Sequence, residues 1–337
     1  MSYMDFVALY ALDTKRRPEH LLAENPLGFA MATNDRGDAL LEALQDAVTL
    51  NLSGKRVLDV GCGYGGLCVA LAKRNARPVG IDNSAKLVAY AEANAFGQSD
   101  ISFSVMDFAT NAVCASFAAG SFDLIFVNDM FDRHHDTDLI ASNLDHLLAK
   151  GGSVYFKMAN IDSLRAILAG GKTKTFGIPL LEPDEWHLLE GTKSPVHYKS
   201  LSAVLGQLQY YNMSTRVLFD DEKVFSGFTE RRLTRRVREI FSRARAPEYA
   251  NATFSPSLRK QSTRLRDKYS YDLQEYGEDY AKFKYGSTFF AGLAGRPDAS
   301  ITPKLATVSL PHFGDVLRSE GEAEATSVAE AETVKAV

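Results

Sequence analysis

The stretch VLDVGCGYGGLCVALAKR, residues 57–74, decides the fold. A short apolar run ends in glycines at 61, 63 and 66 and gives way to a helix-forming run. That is the G-x-G-x-x-G pattern at a strand-to-helix turn, where missing Cβ atoms let a ligand lie against the backbone. A dinucleotide site would use the same glycines. Two features argue against it. Asp59 sits two residues before the first glycine, where dinucleotide enzymes carry an apolar residue, and the strand comes only after a helical lead-in. A carboxylate at that point suits a ligand with an amino group, rather than the pyrophosphate favoured by a helix N-terminus.

Outward from this stretch, strands and helices alternate. PVGID reads as a second strand, followed by the helix SAKLVAYAEANAF; ISFSVMD, FDLIFVND and SVYFKM read as the third to fifth. STRVLF (214–219) is a sixth strand and GSTFFAGLAG a further one. Such alternation predicts a doubly wound parallel α/β sheet, because right-handed crossovers place helices on both faces. Residues 1–50 read as a helical lead-in or lid, with Asp38 placed to cap the run ALLEALQDAVTLNL, which Gly54 closes. Residues 51–219 form the core, 220–285 a basic helical insertion and 286–318 the last strand with a C-terminal extension. The Ala/Glu-rich tail 319–337 is too poor in apolar residues to offset ordering entropy, and disorder is expected there.

At 337 residues and 45% hydrophobic, the chain is long enough for a large α/β core, which excludes a disulfide-built miniature fold. Cys62, Cys68 and Cys114 make no CxxC pair, and no apolar run approaches the roughly 18–20 residues of a membrane span. The expectation is a soluble, cytoplasmic protein. The net charge of −4 conceals an asymmetry. Arg231 to Lys268 holds twelve Lys/Arg against three acids, while Ser319 to Val337 holds five Glu and one Lys. An acidic body therefore carries a basic segment.

Four features in order, namely Asp59 with its glycine loop, Asp82 in GIDNS, Asp107-Phe108 in VMDF and Asn128 closing strand four, resemble the class I S-adenosylmethionine (SAM)-dependent methyltransferases of the UbiG-like branch. The resemblance covers about residues 54–160 well and 197–219 weakly. It implies a Rossmann-like, seven-stranded doubly wound sheet, with N-terminal helices and a helical insertion before the last strand. It also implies SAM as cofactor and S-adenosylhomocysteine as product. On this resemblance Asp59, Gly61, Cys62 and Gly63 hold the methionine part, and Asp82, with Asn83 beside it, binds the ribose hydroxyls. Asp107 faces the adenine amino group, Phe108 lies beside the ring and Asn128 lies near the SAM amino group.

The loop NDMFDRHHDTD, residues 128–138, follows strand four. The UbiG-like branch carries a Glu-His pair here. Asp132 and Arg133 stand in its place, and the histidines His134 and His135 come later. Either histidine suits a general base for a hydroxyl acceptor. Asp129 and Lys157 instead echo part of the Lys-Asp-Lys-Glu set of RNA ribose 2′-O-methyltransferases of the FtsJ type, whose first Lys and final Glu have no counterpart. The catalytic candidates are thus His134, His135, Asp129 and Lys157. Asp132, Arg133, Trp186, His187, His197 and Tyr198 are candidates to face the acceptor. No residue spacing suggests a metal site.

The expected reaction is O-methylation of a small-molecule or glycan hydroxyl. Two alternatives remain: an RNA 2′-O-methyltransferase that engages RNA through 231–268, and a non-catalytic SAM-binding module. The insertion is also a candidate surface for homo-oligomer contacts.

Overall fold

The computed structural model describes residues 32–132, 134–170, 176–181, 185, 199–218, 229–249, 254–296, 298–299 and 302–318. Most of the lead-in, residue 219 of the core, residues 220–228 and 250–253 of the insertion and the tail 319–337 lie outside the described residues.

Among the described residues the main sheet has nine strands, not the expected seven. In chain order they are β2 (Arg56–Val60), β3 (Arg77–Asp82), β4 (Ser102–Val105), β5 (Phe122–Asn128), β6 (Leu148–Ala159), β7 (Ser214–Leu218), β8 (Phe289–Gly295), β10 (Ala306–Leu310) and β11 (Gly314–Arg318). Their spatial order is β10-β11-β7-β8-β6-β5-β2-β3-β4. β2 to β6 run parallel, and β8 is antiparallel to both its neighbours, β6 and β7. The two strands beyond the expected seven are the hairpin β10–β11, which adds to β7 through a parallel β11. What the sequence reading takes for an extension is thus a second edge, closed by a turn with His312 and Gly314 at positive φ. A separate two-stranded ladder pairs β1 (Val48–Thr49) with β9 (Thr302–Pro303).

The central strands are buried on both faces, as parallel sheets covered by helices require. Val57, Leu58, Val60, Ile125, Phe126, Val127, Val154 and Phe156 have no exposed surface. Helices α2 (Gly66–Ala72), α3 (Ala85–Asn94), α4 (Ala112–Ser116) and α5 (Thr137–Leu147) supply the crossovers.

Helix α1 runs Thr33–Ala47, so Asp38 lies inside it rather than capping it. Its carboxylate instead accepts from Lys73 Nζ at 2.8 Å and Arg74 Nη1 at 2.6 Å, which ties α1 to the end of α2. The two helices touch backbone to backbone. A Cβ on Gly37 would stand 2.6 Å from the Gly66 carbonyl oxygen, and one on Gly66 would collide with Thr33.

After β6, α6 (Leu164–Ala169) and α7 (Leu201–Tyr210) lead to β7; α8 (Glu230–Arg243) and α9 (Ser255–Ala281) then intervene before β8. Helices α6, α8 and α9 share their own core, including Leu164, Ile167, Leu233, Val237, Ile240, Leu258 and Leu265. A buried polar knot fixes this unit to the sheet. Asp272 accepts from Lys284 Nζ and from Tyr285 Oη, both at 2.6 Å. Asn160, just past β6, donates to the carbonyls of Lys284 and Ser287 at 2.7 Å. Burial lowers the Lys284 pKa while Asp272 opposes the shift, so the pair holds its charge out of water only because both partners are present. The insertion is therefore docked at the carboxyl end of β6.

The glycines separate into two kinds, and stability should distinguish them. Gly37→Ala should destabilise the fold by about 1–3 kcal/mol, because backbone cannot yield as a side chain can. Gly206, inside α7 with open space around it, should tolerate Ala with a gain of about 0.5–1 kcal/mol. Chemical denaturation of both variants checks the pair; equal midpoints would remove the close-contact account of α1.

Candidate functional site

The strand order reverses between β2 and β5: the chain leaves β2 outward to β3 and β4, then returns to β5 on the other side. Crevices at such a switch point, beyond the carboxyl ends of the strands, are where open α/β sheets bind ligands. A cavity of about 950 Å³ lies there. Its walls include Asp59, Gly61, Cys62, Gly63, Asp82, Asn83, Asp107, Phe108 and Asn128, together with Asp129, His134 and Lys157.

Asp82 ends β3 and organises the floor. Its Oδ2 accepts the Gly63 N–H at 3.1 Å and its Oδ1 the Ser84 N–H at 2.9 Å. Gly63 can offer that N–H because it sits at φ 53°, in the left-handed region. Each carboxylate oxygen has a second lone pair left for a ligand.

Asp59, the penultimate residue of β2, is 3% exposed. Its Oδ2 accepts a weak hydrogen bond from Cys68 Sγ at 3.7 Å. Burial pushes its carboxyl up to about 7; the Cys68 hydrogen bond opposes this and the neighbouring Asp82 charge adds to it. A cation placed against Asp59 would restore the charged form. Burial also raises the thiols of Cys62, in the cavity wall, and Cys68, behind it.

Asp107 folds back on its own chain, its Oδ1 accepting from Ala109 N at 2.9 Å. Phe108 is buried, and its carbonyl accepts Asn143 Nδ2 at 2.7 Å, so α5 fixes the loop after β4. At the end of β5, Asn128 is followed by Asp129 at φ 57°, with Asp129 N donating to Lys157 O at 2.8 Å. The left-handed turn keeps Asp129 at the cavity wall. Its Oδ1 is buried without a hydrogen-bond partner among the described residues. Lys157 Nζ lies over the Phe289 ring, 5.1 Å from its centroid.

The loop beyond separates its candidates. After Asp129 the chain turns inward, with Met130 and Phe131 in the core, and carries Asp132 to 1% exposure away from the cavity walls. His134 is half-buried and lines the cavity. His135 is exposed and off the cavity; its carbonyl accepts Lys199 Nζ at 3.1 Å. Arg133, Trp186, His187, His197 and Tyr198 lie outside the described residues. Among the described residues, no cluster of three or more His, Cys, Asp or Glu could hold a metal ion.

Helix α1 forms a wall that the sequence reading did not resolve into residues, contributing Thr33, Arg36, Gly37, Ala39, Leu40 and Ala43. Arg36 is a half-buried cation in the wall of a cavity lined by four aspartates. The sequence reading starts the helix after Asp38, which leaves Arg36 outside it, whereas the helix begins at Thr33.

Residues 51–179 match the family model described as "Methyltransferase domain". The chain is 33% identical over 118 residues to the ubiquinone biosynthesis O-methyltransferase of Methylococcus capsulatus, covering 35% of this chain and 48% of that one. It is 31% identical over 137 residues to the enzyme of the same name from Coxiella burnetii, covering 40% and 56%. The chain thus spans about half the length of these curated relatives. A SAM-dependent methyltransferase structure from Mesorhizobium loti aligns over 77% of this chain and 98% of its own, with a TM-score of 0.46 at 17% identity. No helix among the described residues is long and apolar enough to cross a membrane. The sequence match covers residues 51–179, and the strand order and glycine turn of those residues agree with a methyltransferase domain.

Proposed function

We propose that the protein transfers the methyl group of SAM to the hydroxyl oxygen of a small-molecule or glycan acceptor. The observation that carries this reading is the convergence of Asp59, Asp82, Asp107 and Asn128 on one cavity at the switch point of the sheet. Four aspartates but only two side-chain cations, Arg36 and Lys157, line it, which favours a ligand of net positive charge. SAM, with its sulfonium and ammonium set against one carboxylate, is such a ligand.

The residues present fit it in detail. Asp82, already held by two backbone N–H groups, keeps lone pairs for a ribose diol. Asp59, buried and short of a strong partner, suits the ammonium, and Arg36 across the cavity suits the carboxylate. Asp107 and Phe108 offer an acceptor and an apolar edge for the adenine. When bound, SAM supplies an electrophilic methyl group on sulfur. The protein's task is to align the acceptor oxygen with it and to exclude water.

On the acceptor side, Asp129 is the favoured base. It lines the cavity, its Oδ1 has no hydrogen-bond partner among the described residues, and backbone geometry fixes its direction. As methyl transfer proceeds, the acceptor O–H gives its proton to that carboxylate. Lys157, adjacent in register on β6, stabilises the charge that develops. His134 stands farther along the same loop and closes the cavity wall.

Asp82→Ala should weaken binding of S-adenosylhomocysteine by about 1.5–3 kcal/mol, read by isothermal titration. Unchanged affinity would remove Asp82 from the ligand. Asp129→Asn should leave that affinity intact and lower turnover about 10²–10⁴-fold, with acceptors found by release of S-adenosylhomocysteine. Full turnover in Asp129→Asn, with loss in His134→Gln, would move the base to the histidine.

A pH dependence follows from Asp59. Its pKa is raised in the folded state, so the folded form holds the proton more tightly than the unfolded chain does. The free protein therefore loses stability as pH rises from the ordinary carboxylate range near ~4 through about 7. Over the same window the carboxylate gains its charge, and an ammonium-bearing ligand binds more tightly. Affinity for S-adenosylhomocysteine should improve about tenfold between pH ~5.5 and ~7.5 in the native protein and stay flat in Asp59→Asn. Equal slopes in the two proteins would separate Asp59 from the ammonium.

A further inference from the structure

We propose that the outer face of the helical insertion binds the phosphodiester backbone of a nucleic-acid strand through the arginines of α8. This surface lies apart from the methyl-transfer cavity, since α8 contributes no residue to its wall. Its occupancy and cofactor binding can therefore fail separately.

Helix α8 carries six arginines, two glutamates and no lysine. Its inward face is Leu233, Val237 and Ile240. Arg231, Arg235 and Arg238 recur at i, i+4 and i+7 on the opposite side and are exposed. Over its fourteen residues the helix is about 21 Å long, enough to run beside several phosphates of one strand. The flank toward α6 adds Arg232 and Arg236, with Arg165 of α6 close by. Arg236 has its proton affinity lowered by burial and then by the charges of Arg232, Arg165 and Arg235, against Glu239. Like charges gathered so closely on one surface favour the arrival of an anion.

The other flank is held within the fold, with Arg266 donating to Asp267 Oδ1 at 2.8 and 2.9 Å. The guanidinium carbons of Arg245 and Arg266 lie 3.5 and 4.6 Å from the centroid of the Phe241 ring. Arg245 is further fixed by Thr263 Oγ1 at 2.7 Å, Phe241 O at 2.9 Å and Ser262 Oγ at 3.1 Å. With both Nη groups of Arg245 already donating, the exposed Arg231, Arg235 and Arg238 of α8 are the ones left to meet a phosphate.

Three features favour phosphodiester over an acidic protein or an anionic membrane. Every cation on α8 is the planar fork that grips phosphate in bidentate fashion. The large exposed apolar side chains among the described residues are Phe96, Val105, Tyr210, Tyr271 and Phe289, none of them on α8. A protein interface would place an apolar core there, and an interfacial helix an apolar face. The remainder of the chain is acidic, which turns a polyanion toward this surface and away from the body.

The test is fluorescence anisotropy with the full chain, using a labelled single-stranded RNA and a duplex DNA of ~20 residues each. Affinity should fall about 100-fold between about 50 and about 200 mM salt. The triple variant R231Q/R235Q/R238Q should bind at least about tenfold more weakly at the lower salt and show a shallower salt slope. Its circular dichroism and its affinity for S-adenosylhomocysteine should stay unchanged. A preference for RNA or for duplex identifies the source of the phosphates. No binding at low salt, a triple variant that binds as well as the parent, or tighter binding to phosphatidylserine vesicles or polyglutamate than to either nucleic acid would overturn the proposal. Loss of S-adenosylhomocysteine binding in the parent chain, with nucleic-acid binding intact, would count against the methyltransferase reading alone.

Discussion

One carboxylate holds the site together. Asp82 accepts an N–H from Gly63 in the turn after β2 and another from Ser84 at the head of α3, so the ends of two adjacent strands and two crossovers meet on it. The turn can reach Asp82 only because its backbone runs through left-handed glycine conformations, and α1 can cover the turn only because Gly37 and Gly66 bring two helices into backbone contact. Removing Cβ atoms at these places makes the floor and one wall of the cavity from main chain. Charged side chains are then left free to address a ligand.

Acids outnumber cations in the cavity, four aspartates against Arg36 and Lys157. Aspartates cluster at the carboxyl ends of β2 and β3 and just beyond β4 and β5, and one of them is buried so well that its carboxyl is pushed up to about 7. Such a site is costly without a partner and becomes favourable when a cation enters. An acid perturbed by burial in a cavity is the feature on which the proposed ammonium contact rests. The same reasoning separates the basic insertion. Its arginines gather on an outward face, on a unit with its own core, while its inward polar group, Asp272, is satisfied by Lys284 and Tyr285.

Much of this was legible in the sequence, for particular physical reasons. Strands buried on both faces read as apolar runs, unbroken in LIFV and interrupted only by Asp59 in VLDV. Their ends are marked by the first polar residue, and for Asp59, Asp82 and Asn128 the strand ends also line the cavity. The β10–β11 hairpin was not legible, because SLPHFGDVLR has short strands of mixed character and its pairing to β7 is a long-range event. The start of α1 was misplaced because Asp38, an acid ahead of an apolar run, has the look of a cap, whereas its carboxylate holds Lys73 and Arg74 from inside the helix. The division between His134 and His135, and between Asp129 and Asp132, depends on one left-handed residue that sends the following pair into the core. Spacing alone gives no sign of that turn.

The central claim is that the switch-point cavity is a SAM site organised by Asp82. The most direct measurement is a crystal structure of the full chain with S-adenosylhomocysteine. The account predicts its ribose hydroxyls on Asp82, its amino group within hydrogen-bond reach of Asp59 and its sulfur turned toward Asp129 and Lys157. Ligand density elsewhere on the molecule, or a ribose held without Asp82, would contradict it.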